Sequence, residues 1–172
     1  MRDVQIKDMT PAKFEAVEAI DLQTEHEQGT TLIVEELEEM FGTEGIAFAT
    51  YHGRVAEVDG EVVGYIIWVH ADVAGVGIQS IFNLVVLPEY RREGVASALV
   101  SEIDENKAAI IVEADEDKYE VLNFWSKNKF VVTRVDPALY DEETMIHPAQ
   151  FILRKEPRKP IQLHQRLKWR AS

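Results

Sequence analysis

Glu113 closes an apolar run from Ala108 to Ala114. A carboxyl at that place sits where burial can raise its pKa toward neutrality. Such a group takes a proton from a protonated amine, directly or through water, and frees the lone pair for attack. A second group of residues, Arg91-Arg92-Glu93-Gly94-Val95-Ala96-Ser97, reads as an anion cradle. Arginines pair with phosphate oxygens through charge-assisted N–H donors. Gly94 has no Cβ to block a close approach of the backbone, and Ala96 keeps the following turn uncrowded. If a helix starts there, its free N–H groups and the positive end of its dipole point into the same space.

These groups need elements to hold them. Ile81 to Leu87 is apolar except for Asn83, as expected of a strand buried on both faces, and Pro88 ends it. Val95, Ala98, Leu99 and Ile103 then share one helical face. The order is strand, basic loop, helix. Upstream, Val4–Ile6 reads as a first strand, and Thr10-Pro11 as the capped start of a helix through Leu22. A second helix is expected over Leu32–Phe41. Ile46–Tyr51 and Arg54–Val58 look extended, and Asp59-Gly60 is a two-residue hairpin turn into Val62–Val69. Ala71–Gly77 reads as a small-residue loop before a strand from Gln79. Lys118–Asn128 carries a helical apolar face, and Phe130–Val135 and Gln150–Arg154 read as closing strands.

Arg91-x-x-Gly94-x-Ala96, after Phe82-Asn83-Leu84-Val85-Val86-x-Pro88-x-Tyr90, resembles the pyrophosphate loop and fourth strand of the GNAT superfamily, the acyl-CoA-dependent N-acetyltransferases. Leu122-Asn123-Phe124-Trp125-Ser126-Lys127-Asn128-Lys129-Phe130 resembles that family's aromatic helix. Within the superfamily the chain is most similar to the ribosomal-protein alanine N-terminal acetyltransferases. The resemblance implies an α/β fold with a mixed, mostly antiparallel sheet of six or seven strands and about four helices. It implies that the pantetheine arm of acetyl-CoA lies along Leu84, Val85 and Val86, held by backbone groups of Leu84 and Val86. The loop from Arg91 through Arg92, Glu93, Gly94, Val95 and Ala96 to Ser97 would hold the pyrophosphate. It makes Glu113 the base and puts Trp125 where the family carries a tyrosine acid. Indole N–H donates a hydrogen bond but does not usefully release a proton.

The expected reaction is transfer of an acetyl group from acetyl-CoA to a primary amine: a protein N-terminus, a lysine or a small cationic amine. The alternative is a non-catalytic acyl-CoA-binding or protein-interaction module, which Trp125 favours and Glu113 opposes. With 172 residues and 46% hydrophobic content, the chain is long enough for a real core. One domain is expected over residues 1–156, with a basic tail over 157–172. The net charge of −13 argues against nucleic acid and for a cationic acceptor. From Lys13 to Glu44 there are ten acidic residues and one basic, a run that reads first as a solvated face. No apolar run has membrane-spanning length, and the absence of cysteine fits the cytoplasm. The five histidines lack metal-ligand spacing, so no metal is expected. A homodimer is compatible with the sequence.

Overall fold

The computed structural model describes residues 3–28, 31–42, 49–73, 75–115, 118–136, 139–141, 144–147 and 150–157. The basic tail lies almost wholly outside them. Strands β1 (Val4–Asp8), β2 (Ala49–Val58), β3 (Glu61–Val73) and β4 (Val76–Val86) pair as antiparallel neighbours. β5 (Ala109–Asp115) joins β4 in parallel. β6 (Val131–Asp136) is the far edge strand, reached through the last strand, which lies between it and β5. A separate hairpin of β7 (Leu139–Asp141) and β8 (Thr144–His147) precedes that last strand, β9 (Gln150–Lys155). The sheet order is thus β1-β2-β3-β4-β5-β9-β6, seven strands with one parallel step.

Helices α1 (Phe14–Gln28) and α2 (Val34–Phe41) cover one face. Their core holds Phe14, Val17, Ile20 and Leu37 against Val55, Tyr65, Ile67 and Val85. Helices α3 (Val95–Ser101) and α4 (Tyr119–Lys127) cover the other. There Val95, Leu99 and Trp125 pack on Ile66, Trp68, Ile81, Val112 and Leu153. Each fully buried aliphatic side chain stabilises this arrangement by about 1.5–3 kcal/mol. Gly64 marks a tight strand contact: a Cβ there would meet the Val85 carbonyl oxygen at 2.8 Å.

Asp59 (φ 53°) and Gly60 (φ 85°) form the expected tight turn. Three expectations change. Residues 71–77 are not an open loop, because β3 and β4 stay paired to Val73 and Val76. The Gly75 amide donates to Asp72 Oδ1 at 2.9 Å and closes the turn locally, with Gly75 at φ 82°. Thr10 does not cap through its side chain; its carbonyl accepts from Lys13 N–H at 2.8 Å in a short 3-10 turn before α1. The hairpin β7–β8 adds a small second sheet beyond those the sequence implies.

Candidate active site

β4 and β5 are hydrogen-bonded only over Ile78–Ser80 and Ala109–Ile111. Yet β4 continues to Val86 and β5 to Asp115. The two strands part after Ser80. The β3–β4 register supplies a cause: Ile67 pairs with Asn83 and Trp68 with Ile81, so Phe82 is an extra residue. A bulge of this kind bends its strand, and this one bends β4 where β5 leaves it. β5 itself stays paired to β9 as far as Asp115.

The edge of β4 facing this opening has a readable polarity. Leu87 N–H donates to the Val63 carbonyl at 3.0 Å, so the odd-numbered residues turn their backbone groups to β3. The backbone groups of Leu84 and Val86 therefore turn toward the opening. The Val86 carbonyl already accepts from Arg91 Nε at 2.9 Å. Val85 is a correction: its backbone serves β3 and its side chain is buried in the α1/α2 core.

Beyond β4 the chain makes a tight loop into α3. Arg92 takes φ 64° and Gly94 φ 88°, both in the left-handed region. A Cβ on Gly94 would have no atom within 4 Å, so the space before the loop is open. Gly94 is the N-cap of α3 and offers no side-chain cap to the first N–H groups of that helix. Arg91, Arg92, Glu93, Gly94 and Ser97 are exposed, Ala96 is half-buried and Val95 is buried. Arg91 braces the loop to β4. Arg92 reaches Glu120 of α4 at 3.3 Å, and Asn128 Nδ2 donates to Ser97 Oγ at 3.3 Å. Open space, a left-handed glycine and an exposed guanidinium fit a diphosphate.

Glu113 lies on β5 beyond the parting point, but its side chain is exposed rather than buried. Strand alternation explains this: Val112 and Ala114 take the core side, and Glu113 takes the other. Cross-strand neighbours put it in a row with Ile152 and Arg134. Arg134 is held above the usual arginine range by its bonds to Asp136 first, with the Glu113 charge contributing last. Trp125 belongs to the α3/α4 core. It is buried, with Phe124 and Phe130 edge-on at 4.9 Å each. Tyr119, the first residue of α4, is 82% exposed.

Of the buried polar groups that the sequence does not announce, Asp21 bears most on the site. Asp21 is wholly buried although it belongs to the acidic run. Its carboxylate accepts from the Tyr65 hydroxyl and from Leu32 N–H at 2.6 Å. Asn83 Nδ2, on the bulged stretch of β4, donates to the Tyr65 oxygen at 3.4 Å. Burial, then the bond to Asp21, pushes the Tyr65 phenol far above its ordinary range. The signal was spacing: Val17, Ile20, Asp21 and Thr24 share the buried stripe of α1.

The sheet thus opens between two parallel strands, with an arginine–glycine loop at the end of one. Residues 44–132, over half of the chain, match the acetyltransferase (GNAT) domain family. Among curated proteins, none matches the sequence. The fold is similar to Ard1 from Thermoplasma volcanium, with 22% identity and TM-score 0.64, covering 88% of this chain and 96% of that one. It is similar to the ribosomal-protein-S18-alanine N-acetyltransferase from Escherichia coli, with 14% identity and TM-score 0.70, covering 90% and 94%. It is also similar to Arabidopsis thaliana NAA60 in complex with acetyl-CoA, with 12% identity and TM-score 0.68, covering 89% and 98%. The chain belongs to the GNAT acetyltransferase family and is an acyl-CoA-dependent acetyltransferase.

Proposed function

We propose that this enzyme moves an acetyl group from acetyl-CoA to a primary amine by direct attack within a ternary complex. The observation that carries the reading is the parting of β4 from β5 after Ser80, with the Arg91–Gly94 loop at the end of β4. The pantetheine arm lies in the opening and bonds to the outward backbone of Leu84 and Val86. The pyrophosphate takes the loop, with Arg92 as its movable cation. A relative in this fold holds acetyl-CoA, which supports that donor.

On the other lip, the Glu113 carboxylate accepts a proton from the incoming ammonium, directly or through water. The freed lone pair attacks the thioester carbonyl. A C–N bond forms, the C–S bond breaks, and the sulfur leaves as thiolate. Trp125 is buried in the α3/α4 core, and its indole N–H does not usefully release a proton. A thiol pKa of about 8.5 makes thiolate a tolerable leaving group near neutral pH. The acidic residues of α1 and α2 and the net charge of −13 favour a cationic acceptor.

Calorimetry with acetyl-CoA tests the donor site. Gly94→Asp places negative charge in the cradle and abolishes binding. Gly94→Ala carries the same left-handed strain without the charge and is the control. Equal affinity of wild type and a folded Gly94→Asp variant overturns the assignment.

A further inference from the structure

Ser80 and Ile111 form the last rung between β4 and β5. Phe82 and Glu113 each stand two residues beyond that rung, on opposite lips of the opening. They also share a face. Glu113 points away from the α3/α4 core that holds Val112 and Ala114. The Phe82 ring meets Tyr51 edge-on, with centroids 6.3 Å apart and planes at 83°. Tyr51 in turn packs against the α1/α2 core. So both lip residues look out on the α1/α2 side, while the loop at Gly94 feeds α3 on the other side.

This arrangement separates donor from acceptor. A thioester whose diphosphate sits at the start of α3 enters from the α3/α4 side, and the amine must approach from the side of Phe82 and Glu113. There it meets a carboxylate on one lip and an aromatic ring on the other. The ring is 55% exposed, although it sits on a central strand of the sheet. Its remaining apolar surface is available for burial by a ligand.

Resting on the acetyl-transfer reading above, we propose that Phe82, backed by Tyr51, is the platform for the substituent next to the acceptor's amine. The acceptor is then a peptide N-terminus whose first side chain is large and apolar. An α-amine carries its side chain on the carbon that bears the nitrogen, so one residue can place its ammonium toward Glu113 and its side chain on Phe82. The carbon that bears a lysine ε-amine has no branch, only two hydrogens and the unbranched chain. Glycine, serine and aspartate at the first position leave the ring uncovered or set a polar group against it.

The test uses the full chain, acetyl-CoA and tetrapeptides that differ only in their first residue, with an N-blocked lysine peptide alongside. Wild type is expected to favour leucine, methionine or phenylalanine over glycine by about tenfold in kcat/KM, the low end of what an apolar contact discriminates. Phe82→Ala removes that preference by raising KM for the apolar peptides and leaves the glycine peptide within about twofold. Phe82→Leu, which keeps an apolar platform, retains part of the preference and guards against a folding defect in the alanine variant. A preference equal in wild type and both variants overturns the inference, as does a wild type that ignores the first residue or prefers the blocked lysine peptide. An enzyme that binds acetyl-CoA yet acetylates none of these peptides or simple amines overturns the transfer reading, and this inference with it. Transfer without the preference overturns this inference alone.

Discussion

The Tyr65 hydroxyl donates to the Asp21 carboxylate, and both residues are wholly buried between α1 and the centre of the sheet. Asp21 also holds Leu32 N–H, at the entry to α2. Tyr65 also accepts from Asn83, beside the bulge. One buried carboxylate thus ties the α1–α2 connection to the strand that opens the active site.

Tyr65→Phe takes a donor from this carboxylate without changing the packing volume much. Losing one partner of a buried charged group costs about 1–3 kcal/mol, and denaturant unfolding at pH 7 measures it. The pH dependence has a definite sign. The folded Tyr65 keeps its proton to a higher pH than an unfolded tyrosine, because burial and then Asp21 disfavour the phenolate. Its contribution is complete below the unfolded value of about 10 and is lost as pH rises beyond it. Wild type is therefore expected to lose more stability than Tyr65→Phe above pH 10. Parallel curves would mean that Tyr65 ionises as freely in the folded protein.

Glu113→Gln is expected to lower turnover by about 10²–10⁴-fold at pH 7, the usual worth of general acid–base catalysis. A rise in pH partly restores the variant, because an acceptor α-amine loses its proton near pH 8 without help. Wild type gains less from the same rise. A pH–rate profile of the two proteins with one peptide acceptor decides this. Coinciding profiles would leave Glu113 as an exposed strand residue with no part in proton transfer.

Arg92 combines a left-handed backbone with a cross-loop partner, Glu120. Non-glycine residues pay about 1–2 kcal/mol in that region, so the strain calls for a return elsewhere, and phosphate binding is one. Arg92→Gly is expected to raise thermal stability while weakening acetyl-CoA binding. Glu120→Gln frees the guanidinium from a highly exposed ion pair. Such a pair holds at most about 1 kcal/mol, so acetyl-CoA should bind about two- to fivefold tighter. Weaker binding by Glu120→Gln would mean that the carboxylate orients Arg92 rather than competing for it.

The strand–loop–helix from Ile81 to Ile103 was legible because each step has its own chemistry: an apolar run, Pro88, Gly94, then apolar residues at helical spacing. The opening itself was not legible from the residues. A bulge is a mismatch between two strands, and nothing in Ile81-Phe82-Asn83 alone shows that Phe82 lacks a partner on β3. Glu113 failed as a buried group because an apolar run does not say which of its residues face the core. Val112 and Ala114 do, and Glu113 does not. In the acidic run, charge hid the position of Asp21 on the apolar stripe of α1. The solvated face expected there includes one residue that is part of the core.

Trp125 is a core residue on α4. The family resemblance expects a tyrosine acid at this place. The indole instead sits in the α3/α4 core, edge-on to both Phe124 and Phe130, and its carbonyl accepts from Phe130 N–H at 3.1 Å. Its substitutions should therefore read out as stability. Trp125→Ala leaves a cavity among α3, α4 and the sheet and is expected to cost about 3–5 kcal/mol. Trp125→Phe keeps a ring and costs less. Trp125→Tyr brings a hydroxyl into the same apolar setting, where an unpartnered polar group costs about 1–3 kcal/mol, so it should be less stable than Trp125→Phe. At a temperature where all three are folded, kcat for Phe and Tyr variants should be equal within about twofold. A Tyr variant with clearly higher kcat than the Phe variant, and a new alkaline limb in its pH profile, would show that this helix position reaches the leaving thiolate after all.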